Sequence, residues 1–556
     1  MRVSAYLFKY ITCELGGKSH PISLCDNSNL VVVFTSAFKR ENTTSEYKHM
    51  LLGIDFGTTR TVVASVDRGN YPIVSFQQET EETLDWYPSV VAARGNDIVY
   101  GLDAVLKQNE PDWFILRSFK RLLGTLGPDE SIKLANQNPS SLELLTSFLT
   151  QLRQDLRARS NLRAKPREKL EAMISVPANA NSNQRFITLE AFRHAGFEVR
   201  GMMNEPSAAG IEYAHHLTTS GASSKREFLV VYDLGGGTFD SSVISLLERD
   251  HQVLSSEGIA KLGGDNFDII LLDLALREAN IHEVSETALA RLLEECRNKK
   301  ESLHPNTRRI TIDLGQGIEG AGEVAIDVNN FYEACRPLIE STIEAMEQVM
   351  EKSTRAAGID LQESAAVYLV GGSSDLPLVS RLLREKYGRQ VRRSPYPHAA
   401  TAIGLAIALD TTAGYKLRER FSRHFGVWRE SNDGREIVFD LLFEKDTPLP
   451  GKGDPPLVRV RRYSPTHNIG DFRYLECGRI DQIGQPQGDI APWDEIFFPF
   501  DPALQSIEGQ NGAVITHGHH YNNLIEEIYS CDANGIIEVR ISDLTNHYSR
   551  RYRLHQ

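Results

Sequence analysis

Two stretches of this chain, 178 residues apart, repeat one design. The first runs Leu51-Leu52-Gly53-Ile54-Asp55-Phe56-Gly57-Thr58-Thr59-Arg60-Thr61-Val62-Val63. The second runs Phe228-Leu229-Val230-Val231-Tyr232-Asp233-Leu234-Gly235-Gly236-Gly237-Thr238-Phe239-Asp240, with Val243 and Ile244 beyond. In each, an apolar run enters Asp-x-Gly, a threonine-bearing turn follows, and a second apolar run leaves. That reads as strand, tight polar turn, strand. Glycine lets backbone approach a ligand closely and presents bare N–H groups. Threonine hydroxyls donate to phosphate oxygens. A carboxylate beside them repels phosphate unless a divalent cation, Mg²⁺ with its waters, stands between. One such loop alone also fits a plain hairpin. Two matched copies point to a duplicated fold, each offering a phosphate loop to a shared cleft.

The residues between and beyond the copies supply partners. Tyr71, Ile73 and Phe76 alternate as a third strand, and helical signal covers 140–165. Residues 112–124 form a short amphipathic segment carrying Lys120 and Arg121; on spacing alone Lys120 reads as solvated surface. Ala172–Val176 is a buried-type strand stopped by Pro177, and a helix covers 182–195. Asn204-Glu205-Pro206-Ser207-Ala208-Ala209 starts a helix with a carboxylate at its N-terminus, which capping and dipole compensation also explain. Leu262-Gly263-Gly264-Asp265 is a further glycine turn before a helical region, and 285–303 is helical. From 329 to 356, Phe331, Cys335, Leu338, Ile339, Ile343, Met346, Val349 and Met350 keep one apolar helical face. Ala366–Val370 is a strand running into Gly371-Gly372-Ser373, a place for backbone N–H groups to meet an anion or nucleoside. The alanine-rich run Ala399 to Ala408 is a closely packed helix.

With 556 residues the chain should hold two or more domains. A net charge of -13 gives no electrostatic footprint for nucleic acid, and none is expected as a partner. No run approaches the roughly 18 apolar residues of a membrane span, so no membrane role is expected. Cys13, Cys25, Cys296, Cys335, Cys477 and Cys531 are scattered without a C-x-x-C pair, against a zinc site or disulfide framework and in favour of a reducing, cytoplasmic setting. Residues 1–49 show no clear period and no secretory signal. Met50 stands directly before the first strand. The expectation is that the working protein starts there and that 1–49 is an extension from an upstream start; a partly ordered N-terminal arm is the alternative.

At this point the motifs carry a resemblance. Asp55-Phe56-Gly57-Thr58-Thr59, Asp233 to Asp240 and Leu369-Val370-Gly371-Gly372-Ser373 stand in the order and spacing of the actin-like ATPase fold. Phe119-Lys120-Arg121-Leu122-Leu123-Gly124, Ser175-Val176-Pro177-Ala178 with Gln184-Arg185, and Asn204 to Ala209 are similar to the seventy-kilodalton heat-shock chaperone family. The resemblance covers about 50–408. It implies an α/β class: a duplicated, two-lobed actin-like (ribonuclease H-like) ATPase domain over 50–410, a linker over 411–424 and a β-sandwich domain over 425–556. The implied cofactors are ATP, Mg²⁺ and K⁺. Asp55 and Asp233 would hold waters of the Mg²⁺ shell. Thr58, Thr59 and Thr238, with Gly57, Gly235, Gly236 and Gly237, would cradle phosphates. Lys120 would reach the γ-phosphate and the attacking water, and Glu205 and Asp240 would orient or polarise water and metal. Gly263, Gly264, Lys300, Gly371, Gly372 and Ser373 would complete the nucleotide site. Pro177 and Arg185 match positions that relay nucleotide state between domains.

The sequence also departs from the pattern. The family's two adenine-clamping arginines fall on Glu301 and Asp375, and an arginine used to meet J-domain co-chaperones falls on Gly201, with Arg200 one position off. Residues 411–423 are polar and basic, without the leucine-rich acidic linker. Beyond them the pattern is β: Phe425 to Trp428, Ile437 to Leu442, Val458 and Val460, and Ile525 to Tyr529 before the Asn534-Gly535 hairpin turn. Lys445 to Pro450 and Asp532 to Ile536 are similar to the family's β-sandwich peptide-binding domain, whereas 478–520 reads as an inserted loop. The chain stops at Gln556, so a lidless form with weak, fast peptide capture is expected. The implied partners are unfolded or extended polypeptides, with J-domain and nucleotide-exchange co-chaperones. Two alternatives stay open: a nucleotide-gated module for one dedicated protein partner, and a small-molecule kinase of the same fold.

Overall fold

The computed structural model describes residues 49–553 apart from 80–81, 109, 111, 221–226, 248, 359, 432–435, 494, 506–514 and 517–521. The proposed extension, but for His49, lies outside the described residues. Among the described residues no helix is long and apolar enough to cross a membrane.

The first hairpin forms as its pattern demands. β1 (His49–Phe56) and β2 (Arg60–Ser65) pair antiparallel, with Leu52, Ile54, Phe56, Val62 and Val63 buried. They sit in a five-stranded sheet with β3 (Tyr87–Pro88), β4 (Lys169–Val176) and β5 (Glu198–Asn204), in the order β5-β4-β1-β2-β3. β4 runs parallel to both β1 and β5. Between β3 and β4 lies α1 (Ser141–Ala158), opened by a capping box of Ser140 and Glu143. α2 (Ser182–His194) joins β4 to β5, and α3 (Glu205–Thr219) follows β5 at once. The third strand expected over 71–76 reduces to Phe76–Gln77, with Ile73 making one isolated bridge to Ala64. The 112–124 segment is not one element. Ser118, at φ 55, breaks it into the strand Phe114–Arg117 and a 3₁₀ helix, Phe119–Gly124.

The second hairpin repeats the arrangement. β6 (Phe228–Leu234) and β7 (Phe239–Leu247) pair antiparallel, and β7 continues into β8 (Asp250–Ile259). The helices α4 (Gly264–Glu278), α5 (Glu286–Glu301) and the long α6 (Val328–Ala357) follow, with a single turn of helix at Leu361–Ser364 after them. β9 (Ala366–Val370) then lies parallel to β6 as β4 lies parallel to β1. After α7 (Pro377–Tyr387) comes β10 (Val391–Arg393), and α8 (Ala400–Leu409) closes the region. The six-stranded order is β10-β9-β6-β7-β8-β11, where β11 is Lys416–Arg418 from the stretch read as a linker. α8 packs against β1 and α3 at backbone distance. A Cβ on Gly404 would lie 1.8 Å from the Ala208 carbonyl oxygen, and one on Gly53 2.2 Å from that of Ala402. Any side chain there would force the helix off the sheet.

From 424 onward the elements of the described residues are strands, apart from the short 3₁₀ helix Pro502–Leu504. One four-stranded sheet joins His424–Ser431, Glu436–Phe443, Tyr474–Ile480 and Pro486–Pro492; another joins Leu457–Tyr463, Ile525–Cys531, Ile537–Asp543 and Tyr548–Arg553. Phe425, Phe443, Phe472, Tyr474, Phe498, Tyr529 and Val539 share one core between them. The reading of 478–520 as an inserted loop is corrected in its first half. Pro486–Pro492 pairs with Tyr474–Ile480, and Ile496–Pro499 pairs with Ile469–Phe472. Glycines and prolines there had masked the alternation by which strands are read.

Candidate functional site

The two Asp-x-Gly turns close identically. Gly57 N–H donates to the Arg60 carbonyl at 3.0 Å, and Gly235 N–H donates to the Thr238 carbonyl at 3.0 Å. They face each other. A Cβ on Gly236 would lie 2.8 Å from Thr59 Cγ2, and one on Gly237 2.5 Å from Thr58 Oγ1. The Gly263-Gly264 turn is laced to the second loop: Gly264 N–H donates to Gly235 O at 3.0 Å and Asp265 N–H to Gly236 O at 2.8 Å. Gly371, at φ 83, completes the ring, since a Cβ there would lie 2.4 Å from Asp233 Oδ1.

These turns surround a cavity of about 960 Å³. Asp55, Gly57, Thr58, Thr59, Lys120, Glu205, Asp233, Gly235, Gly236, Thr238, Gly264, Lys300, Gly371, Gly372 and Ser373 all line it. Asp240, Gly237 and Gly263 do not. Asp240 is buried behind the second loop with Asn179 N–H on its Oδ1 at 3.3 Å, Gly237 accepts from Arg121, and Gly263 packs on Gly236.

The floor of the cavity is electrostatically unbalanced. Lys120 Nζ donates to Glu205 Oε1 at 2.6 Å, with both side chains nearly inaccessible. Burial alone would lower the lysine's pKa, but Glu205, Asp55 and Asp240 together raise it. Asp55, Asp233 and Asp240 share this one cation. Burial, reinforced by Glu205, pushes Asp55 up to about 6 and Asp240 up to about 7, and it lifts Asp233 well above the carboxylate range. Ser175 Oγ donates to Asp55 Oδ1 at 2.8 Å and steadies the charged form. Buried carboxylates short of counter-charge, beside a cradle that any Cβ would fill, fit a hard divalent cation carrying an anion.

The far end of the cavity is different. Lys300 Nζ donates to Gly264 O at 2.9 Å and pairs with Asp268 at 2.5 Å, so it braces the third turn. Glu301 and Asp375 are each paired with an arginine, Arg60 and Arg393. Several residues at the site escaped sequence reasoning. Arg121 reaches from the first half to hold Gly237 O, through Nη2 at 2.8 Å, and Asn266 Oδ1 at 3.0 Å. Ser118 Oγ donates to Asp265 Oδ2 at 2.6 Å, and Arg297 pairs with both Asp265 and Asp268. The partners of Arg121 and Ser118 lie over a hundred positions away, and those of Arg297 lie on another helix, α4, so spacing gave no signal.

One wall of the site continues into the C-terminal β region. β11 pairs parallel with β8, matching His251 with Leu417. Glu419 accepts from Asn204, the residue before Glu205, at both its backbone and side-chain nitrogens. Arg185 Nη2 donates to Asn204 Oδ1 at 2.5 Å and Nη1 to Asn534 O at 3.4 Å, while Met202 N–H donates to Asn534 Oδ1 at 3.1 Å. Lys445 pairs with Glu257 at 2.6 Å. Arg200 takes no part in this seam and binds Glu171 and Glu198 instead.

Known proteins resemble this chain over the same span. The family model described as Hsp70 protein matches residues 51–420. A chaperone protein DnaK of Mycoplasma mycoides subsp. mycoides SC is 30% identical over 512 residues, covering 89% of this chain and 78% of the relative. DnaK chaperones of Mycoplasmopsis synoviae and Mesomycoplasma hyopneumoniae are 31% and 32% identical over 377 and 379 residues, 66% of this chain and 59% of each relative. Against these two the match spans less than two thirds of the relative's length.

Proposed function

The chain belongs to the Hsp70 family, and from that premise we propose that it is an ATP-dependent chaperone whose nucleotide state controls polypeptide binding by the C-terminal β region. The observation that carries this reading is the buried Lys120–Glu205 pair with Asp55, Asp233 and Asp240 on the floor of a glycine-lined cavity. We read 50–410 as the two-lobed actin-like ATPase domain, 411–424 as the linker and 425–556 as the β-sandwich domain.

Phosphoryl transfer needs positioning and charge neutralisation more than covalent help. Asp55 and Asp233 would hold Mg²⁺, which supplies neutralisation of developing phosphate charge. Gly57, Gly235 and Gly236 present backbone to the phosphates, and Thr58, Thr59 and Thr238 add hydroxyl donors. Lys120 keeps a positive charge at the cavity floor because three carboxylates raise its pKa. Glu205 orients Lys120, and Asp240 backs the second loop. Glu205 opens α3 directly after Asn204, and Asn204 is held by Glu419 of the linker. Movement at the lysine–glutamate pair is thereby connected to the linker through one peptide bond.

A second reading, a module for one dedicated protein partner, draws support from the β region. There Arg429 ion-pairs both Asp440 and the fully buried Glu527, a fixed polar arrangement rather than a plain apolar interior. ATP hydrolysis measured with and without a panel of unfolded apolar peptides separates the readings. Broad stimulation supports the chaperone, and indifference to every peptide favours the dedicated partner. ATP consumption that appears only with a phosphorylated sugar product would indicate a kinase.

A further inference from the structure

Arg60 is the first residue after the phosphate loop Asp55–Thr59, and its side chain leaves the first sheet altogether. The guanidinium carbon stands 4.3 Å from the centroid of the Trp86 ring. Its Nη2 is paired with Glu301, 241 positions on, at the end of α5. Its Nη1 is 3.9 Å from where a Cβ on Gly372 would sit. Glu301 adjoins Lys300, and Gly372 adjoins Gly371. The guanidinium therefore stands between the end of α5 and the turn after β9, and it lines the cavity with them.

An ion pair alone does not account for this placement. The Arg60 and Glu301 side chains are 27% and 40% exposed, and partly exposed pairs contribute little to stability. Arginine also carries much rotamer freedom to lose. What the arrangement does achieve is orientation. An indole face and a carboxylate together hold a planar cation at the nucleoside end of a site whose other end takes phosphates. Planar cations attract aromatic rings, most strongly where water is excluded. Arginine also stacks on such rings in a way lysine cannot.

We propose that Arg60 is the nucleoside-binding residue of this cleft, a cation delivered from the first lobe that contacts the base and ribose of the bound nucleotide, with Trp86 and Glu301 as its positioning residues. The inference rests on the nucleotide-binding reading of the cavity. Recognition of this kind responds to a flat aromatic ring, so ligands that carry phosphates but no nucleoside should be blind to it.

The test is calorimetric titration of the full chain, in Mg²⁺, with ATP and separately with inorganic triphosphate. Arg60→Ala should weaken ATP about tenfold, equivalent to about 1.4 kcal/mol, and leave triphosphate within about twofold. Arg60→Lys, which keeps charge but not the plane, should recover only part of the loss. Trp86→Leu should also weaken ATP selectively, which keeps the proposal testable if Arg60→Ala folds poorly. ATP affinity unchanged or tighter in Arg60→Ala, or ATP and triphosphate weakened together, would overturn the proposal. A wild-type chain that binds neither ligand overturns the nucleotide reading itself, whereas a wild type that binds ATP beside an unaffected Arg60→Ala overturns only the role of Arg60.

Discussion

Asn204 and Glu419 meet through two hydrogen bonds: the Asn204 backbone N–H donates to Oε1 at 2.9 Å and its Nδ2 to Oε2 at 2.8 Å. The carboxylate thus clips the stretch after β11 to the residue that precedes Glu205 at the start of α3. Hydrogen bonds to a charged group contribute about 1.5–3 kcal/mol each. Glu419→Ala removes both; Asn204→Ala removes one of them, the side-chain bond, together with the bond that Oδ1 accepts from Arg185 Nη2. Both variants should leave ATP bound, while the linker becomes open to protease in the presence of ATP, more so in Glu419→Ala. Limited proteolysis with and without ATP reads this directly. Equal protection of wild type and Glu419→Ala would show that the clip carries no coupling.

Lys120 is, among the described residues, the cation that faces Glu205, Asp55 and Asp240. Lys120→Ala should abolish hydrolysis, by about 100-fold or more as expected when a transition-state charge is lost, while nucleotide still binds. Removing one member of a buried pair also strands the other, at about 3–5 kcal/mol. The variant should therefore melt lower than wild type without Mg²⁺ and recover part of the difference with it. Single-turnover hydrolysis and thermal melts in EDTA and in Mg²⁺ check both halves. Normal turnover would remove Lys120 from the site.

The glycine turns at Gly57, Gly235 and Gly371 were legible because each follows an apolar strand, and strand-then-glycine is written locally. The duplicated hairpin fixed the core of both α/β sheets for the same reason. Lys120 was not legible from spacing, since its role depends on Glu205, 85 positions away in sequence and 2.6 Å away in space. The linker shows another limit. Its composition lacks the leucine-rich pattern, yet Lys416–Arg418 docks as a strand, because backbone pairing with β8 needs no particular side chains. Arg60 carries no local signal of its role, because Trp86 and Glu301 come to it only through the fold.

The linker seat should be sensitive to acid. His251 on β8 is fully buried, with its ring stacked on Tyr415 at 5.6 Å and 14°. Burial holds its pKa below the ordinary value, against the opposing pull of Asp250 and a Ser245 backbone group. His215, edge-on to Tyr415, is lowered by burial, Arg249 and His216, with Asp410 opposing. Arg249 lies 5.9 Å from the Tyr415 ring, and Lys416 follows in the linker. Both histidines thus favour the neutral form where β11 is docked. The undocked state takes up protons first, so docking is at full strength above an unperturbed pKa of about 6.5 and weakens as pH falls below it. Linker protease sensitivity should rise between pH 7.5 and 5.5 in wild type and rise less in His251→Phe. Identical profiles would exclude His251 as the sensor.

Glu212 gives a pH dependence of opposite sign. It lies on α3, 5% exposed, and accepts from the Tyr368 hydroxyl at 2.5 Å beneath the second sheet. Burial pushes its pKa up to about 7, although the tyrosine hydrogen bond works the other way. The folded chain therefore holds a proton that the unfolded chain, with a carboxyl near 4.3, gives up. This stability is complete below the unfolded value and is lost as pH rises through about 7. At 1.36 kcal/mol per unit the loss by pH 8 amounts to about 4 kcal/mol. Glu212→Gln keeps an uncharged acceptor for Tyr368 with nothing to ionise. It should match wild type near pH 5 and melt several degrees higher at pH 8. A variant that melts below wild type at pH 8 would mean that the charged carboxylate is the stabilising form.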